Sequence, residues 1–272
     1  NKITREEQAM LATKRIGVIG LSVGQSVALT LALERGFGEI RLADFDTLDL
    51  SNLNRIRSGV HELGIPKVIN TAREIAELDP YLQVTVFTDG LTRANMDQFF
   101  CDGGNLDLLV EECDSVEIKV LARLKAKALH IPVLMDTSDR GLVDVERFDL
   151  EPEREIMHGR LGHLDLSVID HELSAQQRYD LIMTMVDSDA LSDRMKVSLP
   201  KIGKSLLTWP QLGGHVTLGG ALTCELSRRI LTGFMNGSGR WYIDLDKLLS
   251  VQESTIALAV EKETIAPRTN HS

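Results

Sequence analysis

The feature that most constrains this chain is an apolar strand running into a short turn and a helix, followed by a second strand that ends in aspartate. Residues 16–19 read Ile-Gly-Val-Ile, Gly20-Leu21-Ser22-Val23-Gly24 follow, and residues 24–35 carry apolar side chains at three- and four-residue intervals. A second strand over 39–44 ends in Asp44, twenty residues after Gly24. A helical crossover of this kind returns the chain to a parallel neighbouring strand and leaves the turn at the carboxyl edge of the sheet, where nucleotides bind. Free N–H groups at the helix start attract phosphate, and a carboxylate ending the second strand suits a ribose hydroxyl. Glycines at such turns also serve packing alone, so the turn by itself leaves both readings open.

The alternation continues along the first half of the chain. Strand patterns occupy 15–20, 39–44, 83–87, 107–112 and 131–136, and helical patterns occupy 24–35, 67–78 and 116–130. This order predicts an α/β fold, a Rossmann-like doubly wound, mostly parallel sheet. After Thr137 the alternation stops. Residues 141–148 read as a strand or hairpin arm, 152–162 as a loop, 170–185 and 188–197 as helices and 200–214 as a loop. Residues 215–231 read as a buried, small-residue-rich helix and 241–245 as an edge strand, so antiparallel strands and C-terminal helices are added to the sheet. The expected organisation is one domain over 1–272, with a nucleotide-binding half (1–137), a crossover, substrate and dimer half (138–266) and a tail (267–272). The abrupt start suggests a piece cut from a longer chain.

With 40 acidic and 30 basic side chains the formal charge is −10. That field repels polyanions, so neither nucleic acid nor an anionic membrane is an expected partner, although local cations and backbone N–H groups still allow a small anionic ligand. No apolar run approaches the roughly eighteen residues of a membrane span, and the first residues lack the apolar centre of a signal peptide. Cys101, Cys113 and Cys224 are odd in number and far apart. They fit reduced thiols in a cytoplasmic protein, and no structural zinc is expected.

The segment after the second strand narrows the function. Residues 44–55 read Asp-Phe-Asp-Thr-Leu-Asp-Leu-Ser-Asn-Leu-Asn-Arg, residues 63–67 Leu-Gly-Ile-Pro-Lys and residues 77–80 Glu-Leu-Asp-Pro, and Gln8 stands twelve residues before Gly20. On these motifs, over residues 8–136, the chain resembles the ThiF/MoeB/HesA and ubiquitin-activating-enzyme superfamily. Residues 219–233 resemble the helix after that family's crossover loop. The resemblance implies an ATP-dependent adenylyltransferase that activates a carboxylate, from a carrier-protein C-terminus, a peptide or a small substrate, as an acyl-adenylate. It implies that Gly20, Ser22, Gly24 and Asp46 belong to the nucleotide site, that Asp44 holds the ribose, and that Asn52 and Arg55 contact the triphosphate. Lys67 would neutralise phosphate charge and Asp114 would hold Mg²⁺. The chemistry fits these residue types: attack on the α-phosphate builds negative charge that a guanidinium, an ammonium and a metal-held carboxylate offset, and no protein nucleophile is required. The alternatives are that Arg55 and Lys67 are solvated charges, that Asp114 caps the helix from Ser115, and that Asp46 only braces the turn.

Some positions depart from the family. Its Gly-x-Gly-Gly-x-Gly aligns with residues 20–25 and only the first glycine is kept, so Ser22, Val23 and Gln25 would limit phosphate approach. Paired Cys-x-x-Cys motifs and a crossover cysteine are missing, and Cys224 lies in an apolar helical pattern, so a thioester step is not expected. The resemblance also implies a homodimer, with a further arginine supplied across its interface from upstream of residue 1. Residues 135–141 and 144–148 resemble the ThiF-like domains joined to nitroreductase-like domains in some bacterial proteins, which implies a fused redox domain. Asp139 and Arg140, just beyond the fifth strand, suit either substrate binding or a structural ion pair. His158 and His163 lack a matching acidic or cysteine cluster and are not expected to bind metal. Two other functions fit parts of the pattern: a non-catalytic nucleotide-sensing or dimerisation module, and a nicotinamide-dependent oxidoreductase, which leaves Asn52, Arg55 and Lys67 unexplained.

Overall fold

The computed structural model describes residues 2–162, 169, 173–185, 190–202, 204–206 and 209–250. In chain order the elements are α1 (Arg5–Leu11), β1 (Arg15–Ile19), α2 (Gly24–Leu33), β2 (Glu39–Ala43), α3 (Lys67–Leu78), β3 (Gln83–Phe87), α4 (Met96–Cys101), β4 (Leu108–Glu111), α5 (Val116–Ala128), β5 (Val133–Thr137) and β6 (Leu142–Glu146). After these come α6 (Ala175–Met185), α7 (Asp193–Ser198), α8 (Gly213–Leu231), β7 (Gly239–Tyr242) and α9 (Leu245–Leu248).

The strands form one sheet in the order β3-β2-β1-β4-β5-β6-β7. The pairs β3–β2, β2–β1, β1–β4 and β4–β5 are parallel. β6 returns from β5 as an antiparallel hairpin arm, and β7 pairs antiparallel with β6. The order changes direction at β1 and β4, so the turn after β1 opens at the switch point of a doubly wound sheet. The expected fold class is therefore present, antiparallel additions included.

Alternation along the central strands sends side chains to two cores. Ile16, Val18, Ile40, Leu42, Leu108, Val110 and Leu134 face α2, α3 and α8. Ile19, Leu109 and Val133 face the other way, towards α4 and α5, where Phe99 meets Phe87 and Phe100 edge-on with ring centroids 5.2 and 5.6 Å apart. The small-residue pattern of α8 lets it lie directly on β5: a Cβ at Gly219 would stand 2.1 Å from an Asp136 carboxylate oxygen.

Several boundaries move from the sequence reading. The sixth strand narrows to Leu142–Glu146, and the edge strand is Gly239–Tyr242 rather than 241–245, because pairing with β6 selects Gly239–Tyr242 and Asp244 caps α9. The helix expected over 188–197 starts at Asp193, after an N-cap in which the Ser192 side chain accepts from the Met195 N–H. The helix expected from 170 is Ala175–Met185; residues 170–172 and His163 lie outside the described residues, as does the tail. α1 and α4 were not anticipated. Among the described residues no helix is long and apolar enough to cross a membrane.

Candidate functional site

The carboxyl ends of β1, β4 and β5 open into one cavity of about 510 Å³. One end is built by the turn after β1. Gly20 has φ +84°, and a Cβ there would stand 2.5 Å from the Glu112 backbone, so only glycine lets β1 and β4 end side by side. Asp44 fixes the turn from the next strand. One of its carboxylate oxygens accepts the Leu21 N–H at 2.6 Å and the other the Asp46 N–H at 2.8 Å. Burial raises its pKa from the ordinary carboxylate value, with these two N–H groups opposing.

The side chains that replace family glycines do not fill the turn. Gln25 is buried and turned away, donating to the Arg57 carbonyl and to Glu74 while accepting the Arg57 N–H at 2.8 Å. Ser22 faces the cavity, where its hydroxyl accepts from Arg55 Nη2 at 3.0 Å. Arg55 follows a short 3-10 helix, Leu50–Asn54, whose Asp49 cap exchanges hydrogen bonds with Ser51 and Asn52. Arg55 Nε is buried and meets no hydrogen-bond partner among the described residues. Burial lowers the Arg55 pKa, and the nearby Asp114 charge offsets part of that shift. Lys67, the first residue of α3, is 6% exposed and pairs with Asp46 at 2.8 Å.

Ser22, Asp46, Asn52, Arg55, Lys67 and Asp114 thus line one end of the same cavity. Gly20, Gly24 and Asp44 support that end from behind. Asp114 is not the helix cap: Ser115 occupies that position and accepts the Ile118 N–H, leaving Asp114 exposed beside the cavity. No group of three or more His, Cys, Asp or Glu side chains suited to a metal occurs among the described residues.

Sequence reasoning missed the cavity floor. Glu112 directly follows β4 and Asp136 is the last residue but one of the neighbouring β5, and Glu112 accepts the Asp136 N–H at 2.8 Å. Burial drives both carboxyls up, Asp136 to about 6 and Glu112 well above its ordinary value, where the Asp136 charge adds to the effect. Asp136 Oδ1 accepts from Thr223, and Oδ2 has no hydrogen-bond partner among the described residues. Beneath them Glu111 bonds to Lys119 and Arg123, and Arg123 also bonds to Glu146. Burial alone would raise the Glu111 pKa, but these two cations hold it at about 2. The signal available in the sequence was the position of these acids at the ends of two parallel strands; that the strands are neighbours was not written in any one segment.

The far end is formed by β6, β7 and the segment before α7. Asp139 lines it and accepts from the Ser192 hydroxyl at 2.6 Å and the Ser192 N–H at 2.9 Å. Arg140 does not pair with Asp139. It bonds to Asp244 at 2.7 Å and to the Ala190 carbonyl, with its guanidinium 4.8 Å from the Tyr242 ring centroid. This pair clips the 190–192 segment onto the hairpin, and the Arg140 guanidinium is committed to structure. His158 bonds to Asp144 at 2.8 Å and to Arg154 at 2.6 Å. Cys224 is buried in the core, and its thiol is pushed up to about 12 by burial and Glu34.

The profile of the ThiF family matches residues 1–152. The chain is 47% identical over 247 residues to protein MT1398 of Mycobacterium tuberculosis, covering 91% of this chain and 34% of that protein. It is 26% identical over 149 residues to tRNA threonylcarbamoyladenosine dehydratase of Bacillus subtilis, covering 54% of this chain and 58% of that protein. The chain therefore spans between about a third and three-fifths of these relatives' own lengths. Among solved structures it resembles the E. coli tRNA N6-threonylcarbamoyladenosine dehydratase TcdA in complex with ATP, with TM-score 0.60, 17% identity, and coverage of 85% of this chain and 90% of that one. This last likeness concerns the fold.

Proposed function

Because the chain belongs to the ThiF family, we propose that its cavity binds ATP, activates a carboxylate as an acyl-adenylate and releases pyrophosphate. The observation that carries this reading is the assembly of Ser22, Asn52, Arg55, Lys67 and Asp114 at one end of a single cavity, beside the glycine turn. In the reaction an acceptor carboxylate oxygen attacks the α-phosphorus. The new C–O–P linkage forms as the bond to pyrophosphate breaks, and the leaving group takes the electron pair. Charge grows on phosphate oxygens, which is where Arg55 and Lys67 act. Arg55 brings a desolvated guanidinium whose Nε lacks a partner among the described residues, so a phosphate oxygen would satisfy a buried donor. Lys67 is held in place by Asp46. Asp44 anchors the turn and keeps free lone pairs for ribose hydroxyls.

Asp114 suits Mg²⁺, an ion that is usually held by one or two carboxylates with phosphates and water completing its shell. When bound it would offset phosphate charge. Residues 1–137 form the nucleotide half and residues 138–266 the acceptor and dimer half of a cytoplasmic homodimer. The acceptor is the carboxylate of a carrier-protein C-terminus, a peptide or a small molecule, and no thiol takes over the acyl group. The 135–148 resemblance attaches the domain to a nitroreductase-like redox domain. A second reading, nucleotide binding without turnover, is favoured by Ser22, whose hydroxyl occupies Arg55 where the family has glycine.

Carboxylate-dependent exchange of labelled pyrophosphate into ATP tests the reading. Adenylation predicts exchange that is lost in the Arg55→Ala, Lys67→Ala double variant. ATP binding without AMP formation under any acceptor supports the second reading, and unchanged ATP binding in the double variant overturns the adenylation reading.

A further inference from the structure

The end of the cavity away from the glycine turn contains a cation that the proposed phosphate chemistry does not use. Arg240, on β7, lines the cavity with only 12% of its side chain exposed. Its Nε stands 2.9 Å from Asp144 Oδ2, and the other Asp144 oxygen is held by His158 at 2.8 Å. Its Nη1 is buried and meets no hydrogen-bond partner among the described residues. A buried guanidinium N–H without a partner is costly unless something else fills the role, and carboxylates are the groups a guanidinium fork matches best.

Position separates this cation from the triphosphate site. β7 stands four strands from β1, which at roughly 4.8 Å per strand is about 19 Å. Arg240 is thus too far along the sheet to share the reacting carboxylate's site beside the glycine turn. The stretch between is apolar on its walls, with Met135, Leu142, Met157, Ile182 and Met185 lining the same cavity. The acids there already have partners or are buried: Asp144 is paired with Arg240 and His158, Asp139 accepts two hydrogen bonds from Ser192, and burial raises the pKa of both Glu112 and Asp136.

We propose that Arg240 anchors the far end of the acceptor, which is an elongated small molecule with an apolar middle and a second anionic group, a carboxylate at the end opposite the one that reacts. This inference rests on the ATP-dependent reading for the role of the near carboxylate, but the Arg240 contact itself is independent of nucleotide. Arg240 touches the group that does not react, so it sets substrate choice and leaves the bond-making step alone. A volume of about 510 Å³ for the whole cavity is on the scale of small-molecule sites rather than of a folded partner.

The test is calorimetric titration of the chain, without nucleotide, with adipate, suberate and sebacate and with the matched monoacids hexanoate, octanoate and decanoate. One dicarboxylate is expected to bind about tenfold or more tightly than its monoacid, and the preference is expected to vanish in Arg240→Gln. Arg240→Lys, which keeps charge and loses the fork, is expected to restore part of it. Melting curves of each variant show whether it folds, and the wild-type series is decisive on its own. Equal binding of diacid and monoacid by the wild type, or a preference that survives Arg240→Gln in a folded protein, would each overturn the proposal. Loss of ATP binding with an intact diacid preference would sink the adenylation reading and leave the Arg240 contact standing.

Discussion

Arg55 gathers three parts of the candidate site: its guanidinium bonds to Ser22 of the turn and to Asn54 of its own loop, and Asp114 acts on it electrostatically. Its removal takes away the guanidinium bonded to the turn, and with it a donor for the phosphate charge that would develop there. Arg55→Ala is therefore expected to lower acceptor-dependent pyrophosphate exchange by about 100-fold, the scale seen when one preorganised donor is lost from an active site, with little change in melting temperature. Gly20 predicts the opposite pattern. At φ +84° with a Cβ stand-off of 2.5 Å from the Glu112 backbone, Gly20→Ala combines strain with a collision. It is expected to destabilise the fold by about 2 kcal/mol or more, read as a shift of the denaturation midpoint. The motif residues here were legible in the sequence because their order and spacing are local. Their hydrogen bonds were not: nothing in residues 20–25 indicates that Gln25 turns towards Arg57 or that Ser22 reaches Arg55.

At the scale of elements, the junction of β4, β5 and α8 joins packing to ionisation. Gly219 lets α8 approach until Asp136 is sealed beneath it, and this burial keeps the carboxyl protonated to about pH 6 rather than its ordinary 3.8. A raised folded-state pKa favours the protonated native form, so the associated stability is complete below about pH 3.8 and is lost as pH rises through about 6. Asp136→Asn cannot ionise. The melting temperature of the wild type minus that of this variant is expected to fall between about pH 4 and pH 6 and to level off above that, and a flat difference across this window would contradict the sealed junction. Parallel strands and their crossover helices were readable because hydrophobic period and length specify them. α4 is six residues and α1 buries only Leu11, so neither carries a periodic signal. β7 is four residues at the sheet edge, and its register comes from β6, far earlier in the chain.

For the whole molecule, the sheet order brings together residues that the sequence keeps apart. Asp44, Lys67, Asp114, Asp136 and Arg240 come from five separate segments and converge because the strands that carry or precede them share one carboxyl edge, or pair beside it. The first five strands and the nucleotide end of the cavity could be anticipated from motif order. The acceptor end could not, since it depends on the β5–β6 hairpin, on β7 and on the clip made by Asp139 and Arg140. The central claim is that this cavity holds ATP through Arg55 and Lys67. A ligand that binds only the folded state raises the melting temperature in proportion to the logarithm of its concentration over its dissociation constant. Thermal melting of the chain across an ATP and Mg²⁺ concentration series is the most direct test. The account predicts a concentration-dependent rise that is absent in the folded Arg55→Ala, Lys67→Ala variant; no rise in the wild type, or an equal rise in both proteins, would contradict it.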